Sequence, residues 1–400
     1  MGNNKITPVG MFDMLPYEAS LKRMIEERLK TAFTKRGFNE IITPTLEFYD
    51  VFSASELPQE SMYNLFDAQG RILSLRPDVT APILRVCATK LDPQLMPYRL
   101  WYCQQVFRRN KALKARRDEI TQCGVEIVGA GGFRSDVEVI ITAIESFLAL
   151  GLDGFKIELG HIGYFKALAE CAFDSEELSD RARTLVERKD FAALSDLVER
   201  YAIGDRRAMG SLPTLFGGKE VLDEALNLAP NSSAKAVILH LKEVYDLLCS
   251  LGYEKYLSID LGLVHSIEYY TGLVFRGYLK GLGDAALSGG RYDTLCEAFG
   301  AGLPSTGFAI DVDSIVIALK KNAPQKSAER VLVHCHAPSD YKRGEEELAA
   351  LFEAGVCAEM SLFDSLSEAL AKAKSGAFSR VVFISDGKSE NYGFGGENNE

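Results

Sequence analysis

The chain has 400 residues, which is too long for one simple hydrophobic core, so we expect two or three domains. Hydrophobic residues make up 47% of it and charged residues 25%, as is typical of a soluble globular protein. No run of about 18 apolar residues occurs, and the N-terminus lacks a secretion signal, so we expect neither a membrane span nor export. The net charge of −11 disfavours a nucleic-acid partner.

The eight cysteines are scattered and include no C-x-x-C pair, which favours reduced thiols in a cytoplasmic protein over a disulfide framework or a zinc knuckle. His334 and His336 share one face of a predicted strand, but no third ligand is evident, so we predict no metal site and no cofactor. The densest basic segment, residues 107–117, is interpreted as a solvated loop.

Taken in chain order, the apolar periodicity predicts a helix, a strand and a hairpin, followed by alternating helices and strands. The predicted segments are a helix over 17–36, a strand from 38, a hairpin around Gln69 and Gly70 that leads into a helix near Asp78 and Thr80, strands over 97–109 and 118–129, a helix over 135–150, a strand over 154–160, and helices from about 165 to 252. Strands resume at 256–278, and strand-to-helix units follow at 287–300 and 305–321.

Residues 262–275, GLVHSIEYYTGLVF, place four polar side chains among apolar neighbours, namely His265, Glu268, Tyr269 and Tyr270. This pattern predicts a β-hairpin region whose polar face meets a small polar ligand. The same pattern also fits an ordinary half-buried strand.

Beyond a linker at 322–329, the pattern predicts a small β-α-β-α-β unit of about 60 residues. The expected domains are residues 1–325, with the helical insertion at about 165–252, and residues 326–388, followed by a disordered tail over 389–400. The predicted fold class is α+β. It combines a mostly antiparallel sheet, flanking helices, the insertion and the small C-terminal α/β unit.

Six segments in this order resemble histidyl-tRNA synthetases and their paralogues, the regulatory subunits of short-form ATP phosphoribosyltransferase. They are RGFNEIITPTLE, LSLRPDVTAPILR, VFRR with TQCGVEIVG, GLVHSIEYYTGLVF, LSGGRYDTL and GFAID, and the likeness covers residues 5 to 320. The resemblance implies a class II aminoacyl-tRNA synthetase fold and a homodimer built through the first motif. It also makes the C-terminal unit similar to a shortened anticodon-binding domain.

The resemblance further implies that an amino acid binds on the sheet, among carboxylates, amides and tyrosines. The matching positions predict a histidine site made of Asp78, Thr80, Arg108, Gln122, Glu126, Tyr269, Tyr270 and Tyr292. The step from Gln122 to Glu126 places both side chains on one face of a strand. Each residue alone also fits a solvated or packed position, whereas the set favours a pocket.

Compared with the synthetases, this chain lacks some of the arginines that would bind ATP. Arg108 matches the arginine of the second motif, and Arg116 is available for another phosphate. Where the synthetases carry Arg-Gly-Leu-Asp before the paired tyrosines, this chain has His265 followed by Ser-Ile-Glu. Histidine is shorter and mostly neutral at pH 7, so it lacks the planar fork that binds phosphate.

The third synthetase motif ends in Glu-Arg after a glycine, whereas this chain has Asp313 and Ser314, with Asp311 at the glycine position. Residues 326–400 carry 8 Lys and Arg against 13 Asp and Glu, a net charge of −5, which suits RNA poorly. No catalytic residues are therefore predicted.

The resemblance thus implies a non-catalytic regulatory subunit in histidine biosynthesis. It would bind a separate short catalytic subunit of ATP phosphoribosyltransferase in a hetero-oligomer, activate it, and transmit feedback inhibition by L-histidine. Two alternatives stay open, namely a divergent histidyl-tRNA synthetase and a free-standing histidine-binding or adenylating paralogue.

Overall fold

The computed structural model describes residues 5–55, 57–109, 117–204, 206–264, 269–322 and 330–394. The chain divides into two compact units, residues 1–321 and 322–400. Most of the basic segment 107–117, including Arg116, and the positions of His265 and Glu268 lie outside the described residues. No helix within these ranges is long and apolar enough to cross a membrane.

The first unit opens with helix α1 (Pro16–Lys35), which buries Ile25, Leu29 and Phe33 at the spacing of one helical face. The chain continues through β1 (Asn39–Glu40), β2 (Leu46–Phe48), β3 (Tyr63–Phe66), β4 (Ile72–Leu75), α2 (Thr80–Thr89), β5 (Tyr98–Phe107), β6 (Glu119–Val128), α3 (Phe133–Ala149) and β7 (Lys156–His161). These bounds agree closely with the segments predicted from periodicity.

The helical insertion follows β7 and contains six helices and one short strand. They are α4 (Ile162–Ala172), α5 (Glu176–Glu187), α6 (Phe191–Tyr201), α7 (Arg206–Ser211), β8 (Phe216–Gly217), α8 (Glu220–Leu228) and α9 (Ser232–Ser250). In α9 the side chains of Ile238, Leu241, Val244 and Leu248 form a buried apolar stripe. The insertion therefore packs into the main core through one apolar face of its longest helix.

The first unit is completed by β9 (Leu257–Asp260), β10 (Leu273–Tyr278), β11 (Leu287–Arg291), β12 (Ser305–Asp311) and α10 (Val312–Asn322). Nine strands form the main sheet in the order β1-β5-β6-β12-β11-β10-β7-β9-β8. Its central pairs are antiparallel, and only β1 with β5 and β7 with β9 run parallel. The predicted, mostly antiparallel sheet is thus confirmed.

A separate three-stranded antiparallel sheet has the order β2-β4-β3. Leu46 and Phe48 point to one face of β2, and each is 42% exposed. Ile42, which precedes β2, is 78% exposed. An apolar surface therefore remains open to solvent on the segment that the sequence predicts to lie at a two-fold contact.

The hairpin predicted for residues 262–275 is only partly found. Strand β10 begins at Leu273, and Tyr269 and Tyr270 lie in the loop before it. The prediction of a strand at Tyr270 is therefore wrong. Successive side chains of a strand point to opposite faces, so two adjacent tyrosines can line one cavity only from irregular backbone.

The second unit consists of β13 (Arg330–Cys335), α11 (Tyr341–Glu353), β14 (Cys357–Met360), α12 (Leu366–Lys372), β15 (Arg380–Ser385) and β16 (Lys388–Gly393). Its sheet has the order β14-β13-β15-β16, with β13 parallel to both neighbours and β16 antiparallel to β15. Strand β16 overlaps the tail expected to be disordered from residue 389, so that expectation fails for 389–393. The physical reason is Tyr392, which packs beside Phe383 at a ring distance of 6.5 Å.

His334 and His336 lie in and just after β13. The His334 ring stacks on Phe383 at 5.9 Å, and its Nδ1 lies 3.0 Å from Ser361 Oγ. Within the described ranges, no group of three or more His, Cys, Asp or Glu side chains could hold a metal ion. The two histidines therefore belong to an aromatic packing cluster of the second unit.

Candidate ligand-binding site

A cavity of about 620 Å³ opens on one face of the main sheet, in front of β6, β11 and β12. Eight residues predicted from the sequence all line this cavity: Asp78, Thr80, Arg108, Gln122, Glu126, Tyr269, Tyr270 and Tyr292. They come from five separate stretches of the chain. The tertiary structure therefore brings the whole predicted set together in one place.

Strand β6 and helix α2 supply the acidic side of the cavity. Gln122 and Glu126 stand four residues apart on β6 and share its cavity face, as predicted. Helix α2 begins at Thr80, and Asp78 Oδ1 accepts a hydrogen bond from the Ala81 amide at 3.0 Å. This contact fixes the start of the helix, because the first amides of a helix have no partner within it.

Arg108 lies just beyond the end of β5 and lines the same cavity. Its Nε donates to the carbonyl oxygen of Pro77 at 2.6 Å, and its own amide donates to the carbonyl oxygen of Asp118 at 2.7 Å. The hydrogen bond to Pro77 connects the segment before α2 to the end of β5, where Arg108 lies. Arg108 is thus the cationic group held beside a predominantly acidic wall.

Glu126 lies deepest in the site, with only 1% of its surface exposed. Thr80 Oγ1 donates to Glu126 Oε1 at 2.7 Å, and the Tyr292 hydroxyl donates to Glu126 Oε2. Among the described residues, the side chain forms no ion pair with a lysine or arginine. The pKa of Glu126 is raised to about 8, because the effect of burial outweighs the Thr80 hydrogen bond, which lowers the pKa, while the negative charge of Asp78 raises it. Glu126 is therefore a buried carboxyl group whose described partners are hydroxyls.

Three tyrosine rings form the wall next to Glu126. The ring centroids of Tyr269 and Tyr270 are 4.9 Å apart, and those of Tyr269 and Tyr292 are 5.7 Å apart. Burial raises the pKa of both Tyr269 and Tyr270 above the ordinary value of tyrosine. These phenols stay neutral at physiological pH, so they offer hydroxyls and ring faces to a ligand without adding charge.

Two glycines let the floor of the cavity approach these side chains. A Cβ atom at Gly307 would collide with Glu126 Oε2 and come within 2.8 Å of the Tyr292 hydroxyl. A Cβ atom at Gly124 would come within 2.8 Å of the hydroxyl of Tyr102, a buried floor residue. Sequence reasoning missed Tyr102 and both glycines as site residues. The only signal for the glycines was their position inside strands, where glycine often marks a close approach.

The far half of the cavity is lined by acidic groups whose partners come from the same chain. Asp313 is buried and accepts hydrogen bonds from the Thr121 amide at 2.6 Å and from Arg117 Nη1 at 3.2 Å. Lys22 Nζ lies 3.8 Å from Asp313 as well. The sequence did not predict that Arg117 and Lys22, which lie far from Asp313 along the chain, would be its partners.

Asp311 and Ser314 lie beside this cluster. The Ser314 hydroxyl donates to Asp311 Oδ2 at 2.7 Å, and the Ser314 amide donates to Oδ1 at 3.0 Å. Burial raises the pKa of Asp311 above its ordinary value. This half of the cavity therefore presents carboxyl groups and an internally paired arginine, which is an unfavourable arrangement for a polyphosphate.

Comparison with known proteins gives a consistent result. The histidyl-tRNA synthetase family model matches residues 10–315. ATP phosphoribosyltransferase regulatory subunits from Clostridium botulinum (strain Langeland) and Clostridium kluyveri are 40% and 43% identical to this chain. The alignments cover 98% of this chain and 96% of the first protein, and 91% of this chain and 95% of the second.

Solved structures agree with these relatives. An ATP phosphoribosyltransferase regulatory subunit/histidyl-tRNA synthetase from Bacillus halodurans superposes with a TM-score of 0.85 at 30% identity, covering 95% of this chain and 98% of that one. Histidyl-tRNA synthetase from Nostoc sp. PCC 7120 shares the fold, with a TM-score of 0.80 at 20% identity over 98% of this chain and 97% of that one. With near-complete coverage at about 40% identity to its relatives, this chain belongs to the family of ATP phosphoribosyltransferase regulatory subunits, which have the histidyl-tRNA synthetase fold.

Proposed function

We propose that this chain is a non-catalytic regulatory subunit that binds free L-histidine and controls a short-form catalytic ATP phosphoribosyltransferase. The observation that carries the proposal is the buried carboxyl of Glu126, which accepts hydrogen bonds from two hydroxyls and forms no ion pair with a lysine or arginine of the described residues. The ammonium group of an amino acid is a suitable partner for such a carboxyl. The family membership supports histidine as the ligand and the catalytic subunit as the partner.

The chemistry of histidine fits the side chains that line the cavity. Its ammonium group needs acceptors, and Glu126, Gln122, Asp78 and Thr80 provide oxygen atoms on one side. Charge-assisted hydrogen bonds of this kind are roughly twice as strong as neutral ones. The ammonium group therefore belongs at the β6 and α2 side of the cavity.

The remaining groups of the amino acid have their own candidates. Arg108 offers a guanidinium to the carboxylate of the ligand. Tyr270 and Tyr292 face the imidazole ring, whose two nitrogens can each take part in a hydrogen bond. Tyr269 packs against both tyrosines and closes this wall.

The alternative of a divergent synthetase requires ATP to bind in the far half of the cavity. Arg117 is engaged by Asp313 there, and Ser314 carries no charge where the synthetases have an arginine. Asp311 adds a carboxyl group at the position of a glycine in the synthetases. Transition-state charge at the α-phosphate would therefore meet acidic groups, which opposes adenylate formation.

The experiment that tests the proposal is reconstitution. The purified chain is titrated with L-histidine by calorimetry, and then mixed with a short-form catalytic subunit from the same source while turnover is followed. We expect one histidine site per chain, activation of the catalytic subunit, and inhibition of the complex by histidine. The coupling free energy between the histidine site and the catalytic subunit should be of ordinary allosteric size, about 1 to 3 kcal/mol. A chain that binds histidine but leaves the catalytic subunit unchanged would instead favour a free-standing histidine-binding paralogue.

A further inference from the structure

Arg291, the last residue of β11, lies next to Tyr292 and is buried although it carries a charge. Its guanidinium reaches the start of helix α3. Nε and Nη2 donate to Asp136 Oδ1 at 2.9 and 2.6 Å, and Nη2 also donates to Ser135 Oγ at 2.6 Å. Nη1 donates to Asp293 Oδ1 at 2.9 Å. A buried arginine with this many partners has one fixed position.

The backbone around Arg291 connects that fixed position to the tyrosine wall. The Thr271 amide donates to the carbonyl oxygen of Arg291 at 2.8 Å, which holds the loop that carries Tyr269 and Tyr270. The Tyr292 amide donates to the carbonyl oxygen of Ser305 at 2.8 Å. The position of Arg291 therefore constrains all three tyrosines of the cavity. Tyr292 follows it directly in the chain, and Tyr269 and Tyr270 precede Thr271, which is hydrogen-bonded to it.

The same anchor includes the helical insertion. His240 of α9 places its Nε2 3.1 Å from Asp136 Oδ2, the oxygen that Arg291 does not use. The His161 ring, at the end of β7, lies edge-on to His240 at 6.2 Å. Asp136 thus contacts His240 of the helical insertion through Oδ2. Through Oδ1 it contacts Arg291, which precedes Tyr292 of the tyrosine wall.

We propose that Arg291 and Asp136 are positioning residues, which hold the Tyr292 hydroxyl on Glu126 and join the helical insertion to the ligand cavity. The expected effect of these two residues on histidine affinity rests on the proposed histidine site. The placement of Tyr292 does not depend on any ligand. The two parts can therefore be tested separately.

The test uses the full chain labelled with 3-fluorotyrosine, with the Tyr292 signal assigned from Tyr292→Phe. Removing Arg291 alone leaves the buried Asp136 without its arginine, so the main variant is the double replacement Asp136→Leu with Arg291→Met, which removes both charges. Its control is Glu145→Leu with Arg36→Met, which removes an ion pair of 2.6 Å between α3 and the residue after α1, away from the cavity. Arg291→Lys tests rescue, because lysine keeps the charge but loses the fork.

We expect the fluorine signal of Tyr292 to shift or broaden in the main variant, to recover partly in Arg291→Lys, and to stay unchanged in the control. We also expect the Kd for histidine to rise about tenfold in the main variant, with no further rise when Tyr292→Phe is added. An unchanged Tyr292 signal, or effects on Kd that simply add, would overturn the positioning role. If the wild-type chain fails to bind histidine, the proposed function fails, while the ligand-free fluorine signal still decides the role of Arg291.

Discussion

Thr80 Oγ1 donates a hydrogen bond of 2.7 Å to Glu126 Oε1, so the first residue of helix α2 holds a carboxyl of strand β6. The two residues come from segments that resemble two different motifs of the synthetases. Their contact occurs in a buried place, where a hydrogen bond is costly to leave unmade. It therefore fixes the acidic end of the cavity before any ligand arrives.

The first prediction concerns Glu126→Ala. Truncation leaves the ammonium group of histidine short of its main acceptor, which costs about 1.5 to 3 kcal/mol and lowers affinity roughly ten- to hundredfold. Feedback inhibition of the reconstituted complex should weaken accordingly, while activation by the subunit survives. Titration of histidine against turnover measures both. Glu119→Ala, at the start of the same strand but away from the cavity lining, is the matched control. Equal sensitivity of mutant and wild-type complexes would place the histidine sensor elsewhere.

The second prediction concerns pH. The pKa of Glu126 is about 8 in the folded chain and 4.5 ordinarily, so between these values the folded chain keeps a proton that the unfolded chain has released. The stability that this group contributes is fully present below pH 4.5 and is lost as the pH rises through about 8. Glu126→Gln removes this titration.

Urea unfolding of the wild type and Glu126→Gln at about pH 6 and about pH 9 measures the effect. We expect the wild type to lose stability relative to the variant at the higher pH. The same difference between the two proteins at both pH values would show that Glu126 does not titrate in this range.

The third prediction is that the purified chain catalyses no histidine-dependent exchange of pyrophosphate into ATP. Arg117 is paired with Asp313, and the positions of two synthetase arginines hold His265 and Ser314. Replacing both by arginine should leave the chain inactive, because Asp311 and Asp313 still oppose the triphosphate. An active histidyl-tRNA synthetase serves as the positive control, and exchange by the wild-type chain above the blank would refute the regulatory proposal.

The fourth prediction is that the chain alone is a dimer at micromolar concentration. The exposed apolar side chains of Ile42, Leu46 and Phe48 form a surface that a second copy can cover, with Ile41 nearby. Ile42→Asp combined with Phe48→Asp should give monomers in sedimentation velocity. Phe352→Asp, at an exposed apolar position of the second unit, should remain dimeric. A wild-type chain that sediments only as a monomer would contradict the prediction.

Much of the fold could be predicted from local patterns. The apolar stripes of α1 and α9 follow directly from the period of the helix. The start of the tail, residues 389–393, was mispredicted, because the glycine- and asparagine-rich composition hid the packing of Tyr392 beside Phe383. Amino-acid composition averages over a whole segment, whereas a strand at the edge of a sheet can be held in place by the packing of one or two side chains.

By itself, the sequence predicted the order of elements, and the resemblance of its motifs predicted eight of the residues that line the cavity, because each motif keeps its residue types and spacing along the chain. Only the tertiary structure decided that Tyr269 and Tyr270 lie in a loop, that Glu126 is buried beside two hydroxyls, and that Asp313 engages Arg117 and Lys22. Burial and ion pairing depend on neighbours that are distant in sequence. The free energy of a charge is set by those neighbours, and no local pattern records them.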